Sequence, residues 1–434
     1  MEDTRKKILI PGGRLSDWAL VNAAHKLGMY VITSGYRPDD PAHKFSDKYI
    51  QADYADKEAM LKIAKDEKID YMCSNSNDFG LLSTAYVCEQ LGLPGHDSYE
   101  TTLKLHTKDN FKKVAKKLGL HSPISEVFDN REEAINFLKN TDKKYIIKPA
   151  DNVGSNGVTR PKTKDEIEES VDFAFNNSKN GKIIVEPFIE GFFVPVTSFI
   201  INKKVVAFFT EGYFQYPQGK VIAKEFPISG HSTGYISPSP YADEFVPSIV
   251  EDFNKIAEYY NLVDGKLHCE LLVTPEHEAY IFDIHRRMSG FFNPWSQWDI
   301  SKEICWEDWI VKAECGMDLS EFPVGIKQNK YMHSRNIFAP KNGIIRKIEF
   351  DEYLTSHLYP KRDCNKFTLN NMFVTDYYHK PVIDTLHYAD EKNLSIGSDQ
   401  LIFVFDSKEE VEKFGMPDSD EFYSHIKFEY VDQY

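Results

Sequence analysis

His268-Cys-Glu-Leu-Leu-Val273 predicts a β-strand, and Ala279-Tyr-Ile-Phe-Asp-Ile-His-Arg-Arg-Met-Ser-Gly290 begins with a second one. Leu271 and Val273 lie at alternate positions of the first half, and Tyr280, Phe282 and Ile284 at alternate positions of the second, as expected for strands. The connecting segment, residues 274–278, is polar and contains a proline, so it suits a turn. The stretch therefore predicts an antiparallel hairpin.

Such a hairpin places Glu270 and Asp283 on neighbouring strands, where their side chains can meet on one face. Two facing carboxylates repel unless a cation lies between them, and oxygen-rich sites suit Mg²⁺ rather than Zn²⁺. Arg286 and Arg287 follow at once and could hold phosphate or carboxylate oxygens. A surface hairpin with scattered charges explains this stretch equally well.

The length of the chain, 434 residues, predicts two or three domains, because single cores usually stop growing at about 250–300 residues. Hydrophobic residues make up 41% and aromatic residues 14%, which is enough for packed cores. A net charge of −15 argues against broad nucleic-acid binding, which needs clustered basic surface. Local phosphate sites remain compatible with it, since a few lysines and backbone amides suffice.

No run of the sequence approaches the ~18 apolar residues that a bilayer span requires. The N-terminal Met-Glu-Asp-Thr-Arg-Lys-Lys leads directly into a strand without the apolar core of a signal peptide. We therefore expect a cytoplasmic protein with no membrane partner. The six cysteines are widely spaced and include no CxxC pair, so neither a zinc site nor a disulfide framework is indicated.

Strands alternate with helices over the first hundred residues, which predicts a parallel sheet with right-handed crossovers. The first strand ends in Pro11-Gly-Gly-Arg-Leu-Ser16, which is not GxGxxG because the third glycine is missing. A structural turn is favoured there over a turn that faces a ligand, and no NAD site is predicted.

Two lysines stand at positions suited to phosphate binding. Lys108 begins a basic helix with an apolar stripe, where the helix dipole mildly disfavours a cation. Lys148 lies on a strand that enters the loop Asp151-Asn-Val-Gly-Ser-Asn-Gly-Val158, whose amides can approach an anion closely. A solvated lysine and an ordinary hairpin turn are the alternatives, and the lysine–loop pair favours phosphate.

Further along the chain, the strand that begins at Lys182 ends in Glu186-Pro-Phe-Ile-Glu-Gly191. An aromatic stretch, Glu211 to Pro240, is predicted to be a long lid or substrate loop. The tail from about Lys330 is mostly β in pattern. We therefore predict three units, at residues 1–100, 101–328 and 329–434.

The order of these motifs resembles the ATP-grasp superfamily, especially its carboxylate–amine ligases. The resemblance is strongest between Lys108 and Gly290, and the two hairpin carboxylates lie 13 residues apart. It implies an α/β fold, α+β in part: an N-terminal parallel α/β pre-ATP-grasp domain, an ATP-grasp domain of two α+β lobes, and a C-terminal β-rich domain.

The resemblance also implies site residues. Lys108 and Lys148 would hold the phosphates of ATP, and the loop 151–158, with Ser155 and Gly157, would close over them as a flap. Glu186 would read the adenine amino group, helped by the backbone near Phe188 and Ile189. Arg287 would act catalytically, as would Lys148, by steadying the acyl-phosphate transition state. The implied metal ligands are Glu270, Asp283 and His285.

Two positions depart from the pattern of the family. His285 replaces the asparagine that normally binds the second metal, and imidazole is an unusual ligand for Mg²⁺. Phe193 stands where many relatives have an acidic ribose contact, so that contact would come from Glu190 or from elsewhere in the chain.

The activity implied by the resemblance is ATP- and Mg²⁺-dependent ligation of small-molecule carboxylate and amine substrates, with Mn²⁺ as an alternative metal. Amide formation would pass through an acyl phosphate and release ADP and phosphate. A carboxylase that activates bicarbonate and a nucleotide-binding module without ligase activity are the alternatives. A homodimer is an expectation by analogy alone.

Overall fold

The structure is a computed structural model of the chain. It describes residues 3–74, 76–151, 156–210, 212–215, 232–287, 305–324, 330–335, 343–359, 387–389, 401–415 and 421–430. In this part of the chain, no helix combines the length and the apolar character that a membrane crossing needs.

A parallel four-stranded sheet forms the N-terminal unit, as predicted. Its elements are β1 (Lys7–Pro11), α1 (Leu15–Lys26), β2 (Tyr30–Gly35), a 3₁₀ turn (Pro41–Phe45), β3 (Lys48–Gln51), α2 (Lys57–Glu67), β4 (Tyr71–Met72) and α3 (Asp78–Leu91). The strand order is β3-β2-β1-β4. Leu9 and Ile32 are fully buried against α2 and α3. The loop after β4 and the first turn of α3 lie at the carboxyl end of this sheet.

Two helices connect this sheet to the next unit: α4 (Tyr99–His106) and α5 (Lys108–Leu118). The apolar stripe of α5 buries Phe111 and Ala115, and Gly119 ends the helix with a positive φ of 63°. Thr107 occupies the N-cap position, yet its hydroxyl donates to the carbonyl of Leu103 instead of capping α5. Lys108 is the first residue of α5, as predicted.

A small antiparallel sheet with two covering helices follows. It contains β5 (Glu126–Phe128), α6 (Arg131–Lys139), β6 (Tyr145–Pro149), a 3₁₀ turn (Lys164–Glu166), α7 (Ile167–Asn176) and β7 (Ile183–Pro187). The order is β5-β7-β6. Ile147 and Val185 are fully buried against apolar residues of both helices. One end of this sheet presents Lys148 and Glu186, which lie on adjacent strands.

A larger antiparallel sheet forms the second lobe, in the order β13-β12-β8-β9. The elements of this region are β8 (Phe192–Ile201), β9 (Lys204–Thr210), β10 (Gly212–Gln215), β11 (Ser232–Ser237), α8 (Ala242–Tyr260), β12 (Gly265–Val273) and β13 (Ala279–His285). Helix α8 covers one face of the sheet with Phe245, Ile249 and Phe253. The resemblance implies two α+β lobes in this region, and that division stays a prediction.

The C-terminal part is rich in short strands. It contains α9 (Trp306–Glu314), β14 (Tyr331–Arg335), β15 (Gly343–Phe350), α10 (Glu352–His357), β16 (Leu358–Tyr359), β17 (His387–Ala389), β18 (Leu401–Phe405), α11 (Lys408–Gly415), α12 (Glu421–Ser424) and β19 (Ile426–Tyr430). The strands form two sheets, β10-β11-β14-β18-β16 and β17-β15-β19.

The long loop predicted over residues 211–240 needs correction. Strands β10 and β11 pair with each other inside that range, and β11 pairs further with β14. The prediction was wrong there because β11 is stabilised by β14, about a hundred residues further along the chain, and local composition does not reveal such a partner. Residues 211 and 216–231 lie outside the described part. The shared sheet also crosses the predicted boundary at residue 329, and the three domain limits stay predictions.

Candidate functional site

The predicted hairpin is present as strands β12 and β13. Glu270 lies directly opposite Asp283, and His268 lies opposite His285. An irregularity in the pairing follows Glu270, at the step to Leu271. The prediction that the two carboxylates meet on neighbouring strands is therefore confirmed.

A cavity of about 240 Å³ lies over this hairpin. Residues of the two antiparallel sheets, of α5 and of the first turn of α3 line it. The lining residues are Asp78, Lys108, Ile146, Lys148, Pro149, Asn156, Val158, Glu186, Phe193, Glu270, Phe282, Asp283, His285 and Arg287. Seven of the residues predicted for the site thus come together: Lys108, Lys148, Glu186, Glu270, Asp283, His285 and Arg287.

Glu186 lies at the buried end of the cavity between two lysines. Lys148 Nζ is 2.5 Å from its Oε1, and Lys112 Nζ is 3.2 Å from its Oε2. The Ser125 hydroxyl also donates to Oε2, at 3.2 Å. Both ammonium groups lie 5.2 Å from the ring centroid of Phe282, consistent with cation–π attraction. Both oxygens of Glu186 therefore already accept hydrogen bonds from this chain.

The electrostatics of this cluster favour a charged carboxylate. Burial alone would raise the pKa of Glu186, but the charges of Lys112 and Lys148 lower it to about 2. Burial lowers the pKa of Lys112 to about 8, although Glu186 opposes that shift. The predicted role of Glu186 in reading adenine stays a prediction, and the structure assigns its carboxylate a second task as counter-ion to the lysines.

The two hairpin carboxylates lie beside each other and are half-buried. Burial and the neighbouring Asp283 raise the pKa of Glu270. Burial would raise the pKa of Asp283 too, but His285 and Lys108 nearby lower it. Asp283 Oδ1 is buried and has no hydrogen-bond partner among the described residues. A buried anionic oxygen without a partner, facing a second carboxylate, is the environment that a divalent cation satisfies.

Arg287 and Arg286 point to different places. Arg287 lines the cavity, and its Nε donates to Asp78 Oδ1 at 2.5 Å. Arg286 donates to Asp97 and to the backbone carbonyls of Lys266 and Val263. The expectation that both arginines could hold ligand oxygens was wrong for Arg286, because its donors are used to join the N-terminal unit to the hairpin.

Three histidines surround the hairpin carboxylates: His106, His268 and His285. Burial lowers the pKa of His268 to about 3 and that of His106 to about 4, with His285 contributing to both shifts. Burial favours the neutral imidazoles of His106 and His268 because a charged ring would lose its hydration. Neutral imidazoles offer a nitrogen lone pair, which makes them competent metal ligands.

The predicted flap is described only at its ends, since residues 152–155, including Ser155, lie outside the described part. Gly157 adopts a φ of +80°, and a Cβ there would lie 2.5 Å from that of Asn177. Close packing thus requires glycine at this position. Phe188, Ile189 and Glu190 do not line the cavity; the Phe188 amide donates to the Lys144 carbonyl, and Arg160 stacks on its ring.

Residues 106–220 match the family model described as phosphoribosylglycinamide synthetase, ATP-grasp (A) domain. This segment therefore has the sequence pattern of an ATP-grasp domain. An L-amino acid ligase from Bacillus licheniformis superposes with a TM-score of 0.70 at 18% identity, over 99% of this chain and 100% of that one. The predicted ATP-grasp domain is confirmed for residues 106–220, and the superposition confirms the predicted fold class.

Two other proteins resemble this chain. The biotin carboxylase domain of a Hydrogenobacter thermophilus 2-oxoglutarate carboxylase, solved with MgADP, ADP and bicarbonate, superposes with a TM-score of 0.69 at 14% identity, over 99% of this chain and 92% of that one. A phosphoribosylamine–glycine ligase from Fusobacterium nucleatum is 23% identical over 188 residues, or 41% of this chain. The match spans 43% of that relative, less than half of its length.

Sequence reasoning missed three residues of this candidate site: Asp78, Lys112 and His106. A signal existed for Asp78, because it follows a polar run at the carboxyl end of a parallel strand, where ligands commonly bind. Lys112 lies one helical turn after Lys108, on the same side of α5. No signal distinguishes His106 from the other histidines of the chain.

Proposed function

We propose that the protein is a ligase that uses ATP and Mg²⁺ to join a small carboxylate to an amine, forming an amide through an acyl phosphate. ADP and phosphate would be released. The observation that carries this proposal is the arrangement of one cavity: Lys108 and Lys148 line it together with the paired carboxylates Glu270 and Asp283 and the guanidinium of Arg287. Positively charged side chains and a metal site around one cavity are suited to bind the negative charges of a polyphosphate.

The nucleotide phosphates would lie between the lysines and the hairpin. Lys148 is held in place by Glu186, so its ammonium group is positioned before ATP arrives. Lys108 lines the same cavity from the start of α5. Asn156 and Val158 would bring the flap to the open side of the cavity, where closure excludes water. Phe282 supplies an apolar wall beneath the two ammonium groups of the Glu186 cluster.

The metal would be held by Glu270 and Asp283. The unpartnered Oδ1 of Asp283 and the raised pKa of Glu270 both fit an oxygen-liganded divalent cation there. When bound, Mg²⁺ screens the phosphate charge so that a second anion can approach. The identity of the metal is part of the proposal, since the site chemistry alone also suits Mn²⁺.

The reaction needs activation because oxide is a poor leaving group from a carboxylate. An oxygen of the substrate carboxylate would attack the γ-phosphorus, and the bond to the β-phosphate oxygen would break to release ADP. The amine nitrogen would then attack the carbonyl carbon, expel phosphate and lose a proton. Arg287 lies where it could stabilise the negative charge that develops on the transferred group, and Asp78 orients its guanidinium.

An ADP-release assay tests this proposal. The full-length protein would be incubated with ATP and Mg²⁺ against amino acids and other amines, each combined with a panel of carboxylates. Release that requires both substrates is expected, with the amide detected by mass spectrometry. The similarity to an L-amino acid ligase makes amino-acid pairs the first choice.

Two outcomes would overturn it. Release that requires bicarbonate without an amine would favour a carboxylase, the candidate supported by the similarity to a biotin carboxylase domain. Measurable ATP binding without release for any pair would favour a nucleotide-binding module.

A further inference from the structure

A second group of potential ligands lies beside the paired carboxylates. Asp78 comes from the first turn of α3, His106 from the end of α4, and His285 from the end of β13. One ligand atom from each lies within 4.8 Å of the other two. His285 Nδ1 is 3.3 Å from Asp78 Oδ1, and His106 Nδ1 is 3.9 Å from the same oxygen. Three separate elements thus converge on one point.

The two imidazole nitrogens that face this point lie near Asp78 Oδ1 but make no hydrogen bond among the described residues. The Nδ1 atoms of His106 and His285 are buried without a hydrogen-bond partner among the described residues, and His285 is only 3% exposed. A buried polar atom left without a partner costs roughly 1–3 kcal/mol, so such atoms usually have a ligand. The unpartnered nitrogens therefore indicate a group that the protein chain does not supply.

His285 is oriented to offer Nδ1 rather than Nε2. Its Nε2 lies 3.5 Å from Asp283 Oδ2, so a proton on Nε2 would point at that carboxylate. This tautomer leaves a lone pair on Nδ1, directed towards Asp78. A carboxylate behind one ring nitrogen and a metal on the other is a common arrangement in metal sites. The Nδ1 atom of His285 therefore faces away from the Glu270–Asp283 pair.

The spacing of the three atoms suits a small cation. Two ligands at about 2.1 Å from one ion are separated by roughly 3.0–3.4 Å in octahedral or tetrahedral geometry. The observed 3.3 Å agrees, the observed 3.9 Å is longer, and all three atoms lie within 4.8 Å of one another, so bound geometry requires the ligands to move closer to the ion. Arg287 already donates to Asp78 Oδ1, but a carboxylate has two oxygens and several lone pairs to share. Asp78 and His285 also line the cavity, which gives an ion a route of entry.

We propose that Asp78, His106 and His285 form a second divalent-cation site, separate from the Glu270–Asp283 pair. Two imidazoles and one carboxylate select an ion that accepts nitrogen ligands, of the class of Zn²⁺ or Co²⁺, over Mg²⁺. The open side of the site faces the cavity. This site needs neither ATP nor ligase activity, so it stands even if the proposed function fails.

A Co²⁺ titration tests the site, because bound Co²⁺ absorbs in the visible range according to its ligands. The full-length protein, freed of metals, would be titrated without nucleotide or Mg²⁺. We expect one strong site per chain. His106→Gln should weaken Co²⁺ binding at least tenfold. Glu270→Gln, in the neighbouring carboxylate pair, should leave it within twofold. His277→Gln is the matched control, since His277 lies on the hairpin turn and contacts Glu244 instead.

Two results would overturn the proposal. Wild-type affinity in His106→Gln, or loss of binding in Glu270→Gln, would place the ion at the hairpin carboxylates. X-ray absorption of the wild-type protein loaded with one equivalent of Zn²⁺ needs no variant. It therefore tests the site even if a variant folds poorly. Two imidazole ligands are expected, and a spectrum with none would contradict the site.

Discussion

Replacing Glu186 with glutamine would separate its two roles, because glutamine keeps the shape of the side chain and removes its charge. The substitution would leave the ammonium groups of Lys112 and Lys148 buried without their shared counter-ion. The pKa of Glu186 falls from 4.5 to about 2 on folding, which corresponds to about 3 kcal/mol of stability at neutral pH. Breaking a buried ion pair costs roughly 3–5 kcal/mol by comparison. We therefore expect Glu186→Gln to lower the free energy of unfolding by about 3 kcal/mol at pH 7.

The pH dependence gives the sign of this effect. Because the folded pKa is depressed, the stabilisation by Glu186 is fully present above the unfolded pKa of 4.5 and is lost as the pH falls towards about 2. The difference between wild type and variant should therefore shrink across that window.

Urea unfolding, followed by circular dichroism at several pH values, measures both quantities. Glu190→Gln is the matched control, since Glu190 is exposed four residues further along the same segment, and it should change stability by less than about 0.5 kcal/mol. A loss below about 1 kcal/mol in Glu186→Gln, combined with a loss of preference for ATP over GTP, would refute the counter-ion role and leave adenine recognition as the main task.

Three further predictions concern the metal, the flap and the contact between units. Asp283→Asn should reduce the rate of ADP release at least about a hundredfold and abolish its dependence on Mg²⁺. Glu276→Gln, in the exposed hairpin turn, is the control and should do neither. Near-normal turnover in Asp283→Asn would contradict the assignment of Asp283 as a metal ligand. Gly157→Ala should lower the melting temperature, because a Cβ at a φ of +80° would lie 2.5 Å from the Asn177 Cβ. The expected loss of folding free energy is roughly 1–3 kcal/mol. An unchanged melting temperature in calorimetry would contradict this packing. Glu314→Gln should lower the free energy of unfolding, measured with urea, by roughly 3 kcal/mol. The reason is that Glu314 accepts hydrogen bonds from Ser74 and pairs with Lys266 at 2.6 Å in a buried contact. A loss under about 1 kcal/mol would show that this contact is dispensable.

Local patterns in the sequence determined the secondary structure and part of the site. The apolar spacing of the segment 108–118 predicts α5, and the alternation in 268–285 predicts the hairpin with Glu270 opposite Asp283. These predictions succeed because helical and strand periodicities are set by neighbours a few residues apart. The lysine–loop pair at Lys148 was recognisable for the same reason.

Tertiary structure alone decided which distant side chains meet. Asp78 reaches Arg287 from a helix more than two hundred positions earlier, and Lys112 engages Glu186 from a different element. Such contacts depend on how whole units pack, and no local periodicity encodes them. The same reason explains why β10 and β11 were taken for a loop. The hairpin that the sequence marks most clearly is thus completed by residues that only the folded chain brings to it.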